Sequence, residues 1–86
     1  MSSLAKKSDK EYIATEVSID DDFLLVILSD GREIKTPLEF FPRLRNASKA
    51  QRKKFEIIGL GTSIHWPEID EDISVRGIVF GTPARF

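Results

Sequence analysis

The residues best equipped for chemistry lie between Ser63 and Asp72. They include the only histidine, His65, and the only tryptophan, Trp66, followed by Glu68, Asp70, Glu71 and Asp72. A histidine near carboxylates suggests a metal site or acid–base work. Zinc takes three or four N, S or O ligands in a defined geometry, and with one His and no Cys, carboxylates would have to supply the rest. Calcium fits no better, because Asp70 to Asp72 lacks the alternating ligands, glycine and distal Glu of a calcium loop. As a base, His65 needs a nucleophile, and Ser63 lies two residues away on the same strand face, pointing in the same direction. No Asp–His–Ser geometry follows from that spacing. The chain is therefore expected to be no enzyme, with no catalytic, metal-binding or cofactor-binding residues. The acids read as a surface loop, or as charges favouring a helix N-terminus at Ser74.

A second group is electrostatic. Arg43, Arg45, Lys49, Arg52, Lys53 and Lys54 are uninterrupted by acid between Glu39 and Glu56. Such cations could track phosphates. The net charge of −1, the lack of an interleaved aromatic and the absence of a helix-turn-helix pattern favour a solvated helix face instead. The segment could also meet an acidic partner, or the Glu68 to Asp72 loop of a second copy in a self-complementary dimer. The candidate interaction residues are Arg43, Arg45, Arg52, Lys53, His65, Asp70 and Asp72.

The elements that must position these groups follow from periodicity. Residues Met1 to Glu11 have almost no apolar content, which predicts a mobile tail ahead of a single domain over residues 12–86. Ile13, Thr15, Val17 and Ile19 alternate with polar residues as in a half-buried strand. Asp20 to Asp22 form a turn, and Phe23 to Leu28 is apolar on both faces, as in a central strand. Asp30-Gly31 signals a type I′ hairpin returning through Arg32 to Lys35.

Thr36-Pro37-Leu38-Glu39 has the form of a capped helix start, and Pro42 shortens or kinks the helix that it opens. Ser48 to Gln51 repeats the capping-box form and opens a second helix to about Phe55. Alternation over Ile58, Leu60, Thr62, Ile64 and Trp66 predicts a fourth strand joining the sheet, with Trp66 in the core and Pro67 as its end. Gly59 and Gly61 on its other face lack the spacing of a phosphate cradle and instead admit a close neighbour. Ser74 to Gly81 reads as a short C-terminal helix, with a strand as the competing assignment.

The expected architecture is α+β and two-layered: a three-stranded antiparallel meander, two short helices, a fourth strand and a short C-terminal helix. Eighty-six residues allow one core. The absence of cysteine suits a reducing, cytoplasmic setting. The longest apolar run, Phe23 to Leu28, is too short to cross a bilayer, and no secretion signal opens the chain.

With these motifs in place, the chain resembles the small bacterial domain-of-unknown-function family numbered 2442. The likeness rests on Asp30-Gly31-Arg32, Pro37-Leu38, Phe41 to Leu44, Ala47, Gln51-Arg52, Ile58-Gly59 and Gly61. It continues through Ile64 to Pro67, Asp70 to Val75, Gly77 and Gly81. It departs at Arg76, where the family prefers an acid, and at Phe40, where a Trp-Phe pair is common. The resemblance implies a small α+β domain without established activity, sometimes encoded beside a second small protein as in toxin–antitoxin pairs. The expected role is a non-enzymatic protein-interaction module, the partner or antitoxin-like half of such an operon. The alternative is a nucleic-acid-binding regulator using residues 43–54.

Overall fold

The computed structural model describes residues 12–81. The segment expected to form a mobile tail lies outside the described residues. Strands β1 (Ala14–Ile19), β2 (Phe23–Leu28) and β3 (Glu33–Pro37) form an antiparallel sheet in the order β1-β2-β3. The first turn is made by Asp20, whose Oδ1 accepts from the N–H groups of Asp22 (2.8 Å) and Phe23 (2.7 Å). Those two donors, Phe23 first, hold the Asp20 carboxyl below its ordinary pKa.

The second turn differs from the expected type I′ form. Leu28 N donates to Arg32 O across three intervening residues, and of these only Gly31 has a positive φ, at 96°. Three-residue turns of this kind place glycine in the left-handed region before the strand resumes. Leu24, Val26 and Leu28 of β2 are buried on one face, while Phe23, Leu25 and Ile27 are half-buried on the other.

The anticipated helix at Thr36 to Glu39 does not form. Pro37 ends β3 in an extended conformation, a short 3-10 turn spans Leu38–Phe40, and helix α1 runs over Pro42–Arg45. Pro42 therefore starts a helix rather than kinking one. Its ring disfavours helical Phe41, and its fixed φ suits a first helical position. Helix α2 (Lys49–Arg52) has the expected capping box: Gln51 N donates to Ser48 Oγ (3.1 Å), and Ser48 N donates to Gln51 Oε1 (3.0 Å). It ends three residues before Phe55.

The expected fourth strand is in fact a hairpin belonging to a second sheet. Gly59, Leu60 and Gly61 have φ of 62°, 57° and 94°, and this left-handed arc reverses the chain between β4 (Glu56–Ile58) and β5 (Ser63–Trp66). The end of the acidic stretch becomes a further strand, β6 (Glu71–Ser74), giving the order β4-β5-β6. Helix α3 (Val75–Phe80) follows, with Ser74 Oγ accepting from Gly77 N and Gly81 in the left-handed region at its end. This decides the C-terminal element as a helix. The two sheets share one core, in which Leu24, Val26 and Leu28 join Leu38, Leu44, Ile64, Trp66, Ile73 and Val75.

Candidate functional site

The register of the second sheet sets His65 in a cross-strand row, with Glu56 on one side and Asp72 on the other. His65 Nδ1 donates to Asp72 Oδ1 at 2.5 Å, so two of the sequence candidates meet directly. This bond orients the imidazole as a carboxylate does in a catalytic dyad. Ser63 lies in the next row opposite Ser74, and no hydrogen bond joins it to His65 among the described residues. No three His, Cys, Asp or Glu side chains converge on a common point among the described residues.

The basic segment is distributed in a way that its charge count conceals. Arg52 is only 8% exposed. Its Nε donates to Leu44 O, its Nη2 to Arg45 O and its Nη1 to Asp21 Oδ1, each at 2.9 Å. Two of these acceptors are carbonyls at the end of α1; Leu44 O also accepts from Ala47 N (3.2 Å), while Arg45 O is of the kind that a helix end leaves without an intrahelical donor. The Arg52 carbonyl in turn accepts from Trp66 Nε1 at 3.0 Å. Arg52 is thus a structural cross-brace and is not free to meet a phosphate.

Arg43 Nη1 donates to Asp70 O (2.7 Å), Lys54 pairs with Glu68 (2.9 Å) and Lys49 reaches Asp21 (3.9 Å). The basic and acidic segments therefore meet within one chain. Arg45 and Lys53 are exposed and form no ion pair among the described residues. Asp70 sits in the left-handed region at φ 53° and closes the turn into β6, a geometry aspartate tolerates.

The main features missed in the sequence are apolar. Leu60, expected with Ile58 on the buried face beside Trp66, is 93% exposed, while Ile57 (37%) and Ile58 (40%) are partly exposed on opposite faces of β4. Gly61 permits this arrangement: a Cβ there would lie 2.6 Å from Ile13 Cγ2 and 3.1 Å from Ala14 O, so the turn abuts the start of β1. The close neighbour expected for this glycine is thus the start of β1. The available signal was Gly-Leu-Gly itself, two residues free to take positive φ flanking a large side chain. A second apolar feature is a cavity of about 180 Å³ between β3 and α3, lined mainly by Ile34, Phe40, Phe41 and Ile78.

Two solved structures share the fold. A protein of unknown function from Rhodospirillum rubrum is 28% identical, with 87% of this chain and 93% of that chain covered at a TM-score of 0.76. An uncharacterised protein from Chromobacterium violaceum, 20% identical, matches over 96% of this chain and 78% of its own at 0.73, a likeness of fold alone. No curated protein matches the chain. No helix among the described residues is long and apolar enough to cross a membrane. The model of the family described as protein of unknown function (DUF2442) matches residues 14–84, and the chain belongs to that family.

Proposed function

We propose that the chain is a non-enzymatic protein-interaction module whose contact surface centres on Leu60, exposed at the tip of the β4–β5 turn. The observation that carries this reading is Leu60, almost fully exposed on a left-handed backbone. A leucine is unfavourable there twice over. The conformation costs a residue with a Cβ roughly 1–2 kcal/mol, and the side chain gains nothing from burial. Glycine or asparagine would avoid both costs. A costly apolar residue at the outermost point of a turn is what an anchor for a partner's apolar pocket requires.

The partner is taken to be the product of an adjoining gene, with this chain as the antitoxin-like half of the pair. That part rests on the two-gene arrangement implied by the family resemblance. Co-expression of the full chain with its neighbouring gene product should yield a stable complex at moderate salt. Leu60→Asn should weaken capture by about tenfold or more while leaving the melting temperature unchanged or higher, since asparagine tolerates the left-handed region. Equal capture by that variant would overturn the reading. Retention of nucleic acid at physiological salt, lost when Arg45 and Lys53 are replaced, would favour a regulator instead.

A further inference from the structure

β3 is an edge strand, and its hydrogen-bonding phase can be deduced. In an antiparallel pair, residues that exchange hydrogen bonds alternate with residues whose backbone groups point away. Leu28 N donates to Arg32 O (2.8 Å) and Leu38 N donates to Asp22 O (2.9 Å) at the two ends of the β2–β3 pairing. The register between them opposes Val26 to Ile34 and Leu24 to Thr36, so these belong to the bonded class. Glu33 and Lys35 therefore direct N–H and C=O outward. Pro37 presents only its carbonyl, because proline has no N–H. No other segment pairs with this edge among the described residues.

We propose that two copies of the chain join along β3, antiparallel about a two-fold axis beside Ile34, so that Glu33 of each faces Lys35 of the other. Charge selects this occupant and this register. Each Glu33–Lys35 pair exchanges both backbone hydrogen bonds and sets opposite charges directly across from one another, a stabilising cross-strand arrangement. Moving the axis to Lys35 would oppose the two lysines and leave Glu33 facing a residue without a donor. Moving it to Glu33 would oppose the two acids.

The apolar side of the strand agrees with the same register. Ile34 lies opposite buried Val26, so its side chain is on the core face, yet it is only half-buried. Beside it opens the cavity lined by Phe40, Phe41 and Ile78. The axis brings the Ile34 of the incoming copy to that apolar margin. The two three-stranded sheets then become one of six strands, and both free β3 edges disappear.

The test uses the full chain in sedimentation equilibrium, with circular dichroism to show that each variant is folded. Wild type should dimerise. Glu33→Lys leaves two lysines facing two lysines and Lys35→Glu leaves two acids facing two acids, so each variant alone should dimerise about tenfold or more weakly. An equimolar mixture should form a heterodimer, and the double exchange within one chain should restore the homodimer. A monomeric wild type at several hundred micromolar, single variants that dimerise like wild type, or a mixture that fails to associate would each overturn the proposal. So would loss of the homodimer on replacing Leu60 alone. The Leu60 tip is a separate surface, and its partner-capture assay fails or succeeds independently.

Discussion

At Leu60 and Asp20 the chain holds two turn residues in contrasting ways. Leu60 adopts a left-handed backbone with no side-chain compensation, so Leu60→Asn should not destabilise the fold and should raise stability by up to about 1 kcal/mol in thermal melts. Asp20 is matched to its turn by the N–H groups of Phe23 and Asp22, which favour its charged form. Because its folded pKa lies below its unfolded value, its contribution is present above the unfolded pKa and fades as pH falls through the folded one. Melting wild type and Asp20→Asn from neutral pH to about pH 2 should show a wild-type advantage that closes on the acid side. A gap that is constant over this range would mean that the carboxylate charge contributes nothing.

Among the elements, those specified by short-range chemistry were legible and those decided at a distance were not. The Asp20 turn, the Gly31 hairpin and the Ser48–Gln51 capping box depend on groups two to four residues apart, and all three form. The β4–β5 reversal was hidden because period-two alternation runs unbroken through it, and only the three left-handed residues reveal the turn. β6 was hidden because its sole buried apolar residue is Ile73, set among acids. Thr36 and Pro37 look like a helix start, which places Pro42 inside a helix, whereas register with Phe23 and Leu24 keeps them in β3.

The candidate site divides in the same way. His65 and Asp72 are seven residues apart and come together through strand register. Arg52 is withdrawn from the surface by Leu44, Arg45 and Asp21, which no local pattern connects to it. Arg52→Met should cost about 1–3 kcal/mol in urea unfolding, because it leaves the Arg45 carbonyl without its donor, whereas Leu44 O keeps the Ala47 N–H. Most of that cost lies in the Arg45 carbonyl, since Asp21 is largely exposed and its ion pair is screened. Arg52→Lys should recover only part of it, because an ammonium cannot reach three acceptors as a planar guanidinium does.

At the level of the whole molecule, one core serves both sheets, and neither sheet can bury its apolar face alone. Trp66, the only tryptophan, lies in that core, while backbone signal comes from both sheets. Urea transitions followed by Trp66 fluorescence and by far-ultraviolet circular dichroism should therefore coincide. Separate midpoints would show that the sheets are independent units. The two proposed contact surfaces, the Leu60 tip and the β3 edge, belong to different sheets, so one chain could engage a partner and a second copy together.

The sheet order β1-β2-β3 and β4-β5-β6 has no crossover, so every strand pairs only with its neighbour in sequence. Each pairing then closes a short loop with little entropy loss, and no strand must wait for a distant one to arrive. The formation of the face shared by the two sheets is the one step that joins distant parts of the chain, so the refolding rate measured by stopped flow should respond to substitutions there, such as Val26→Ala or Ile73→Ala, more than to changes in any turn.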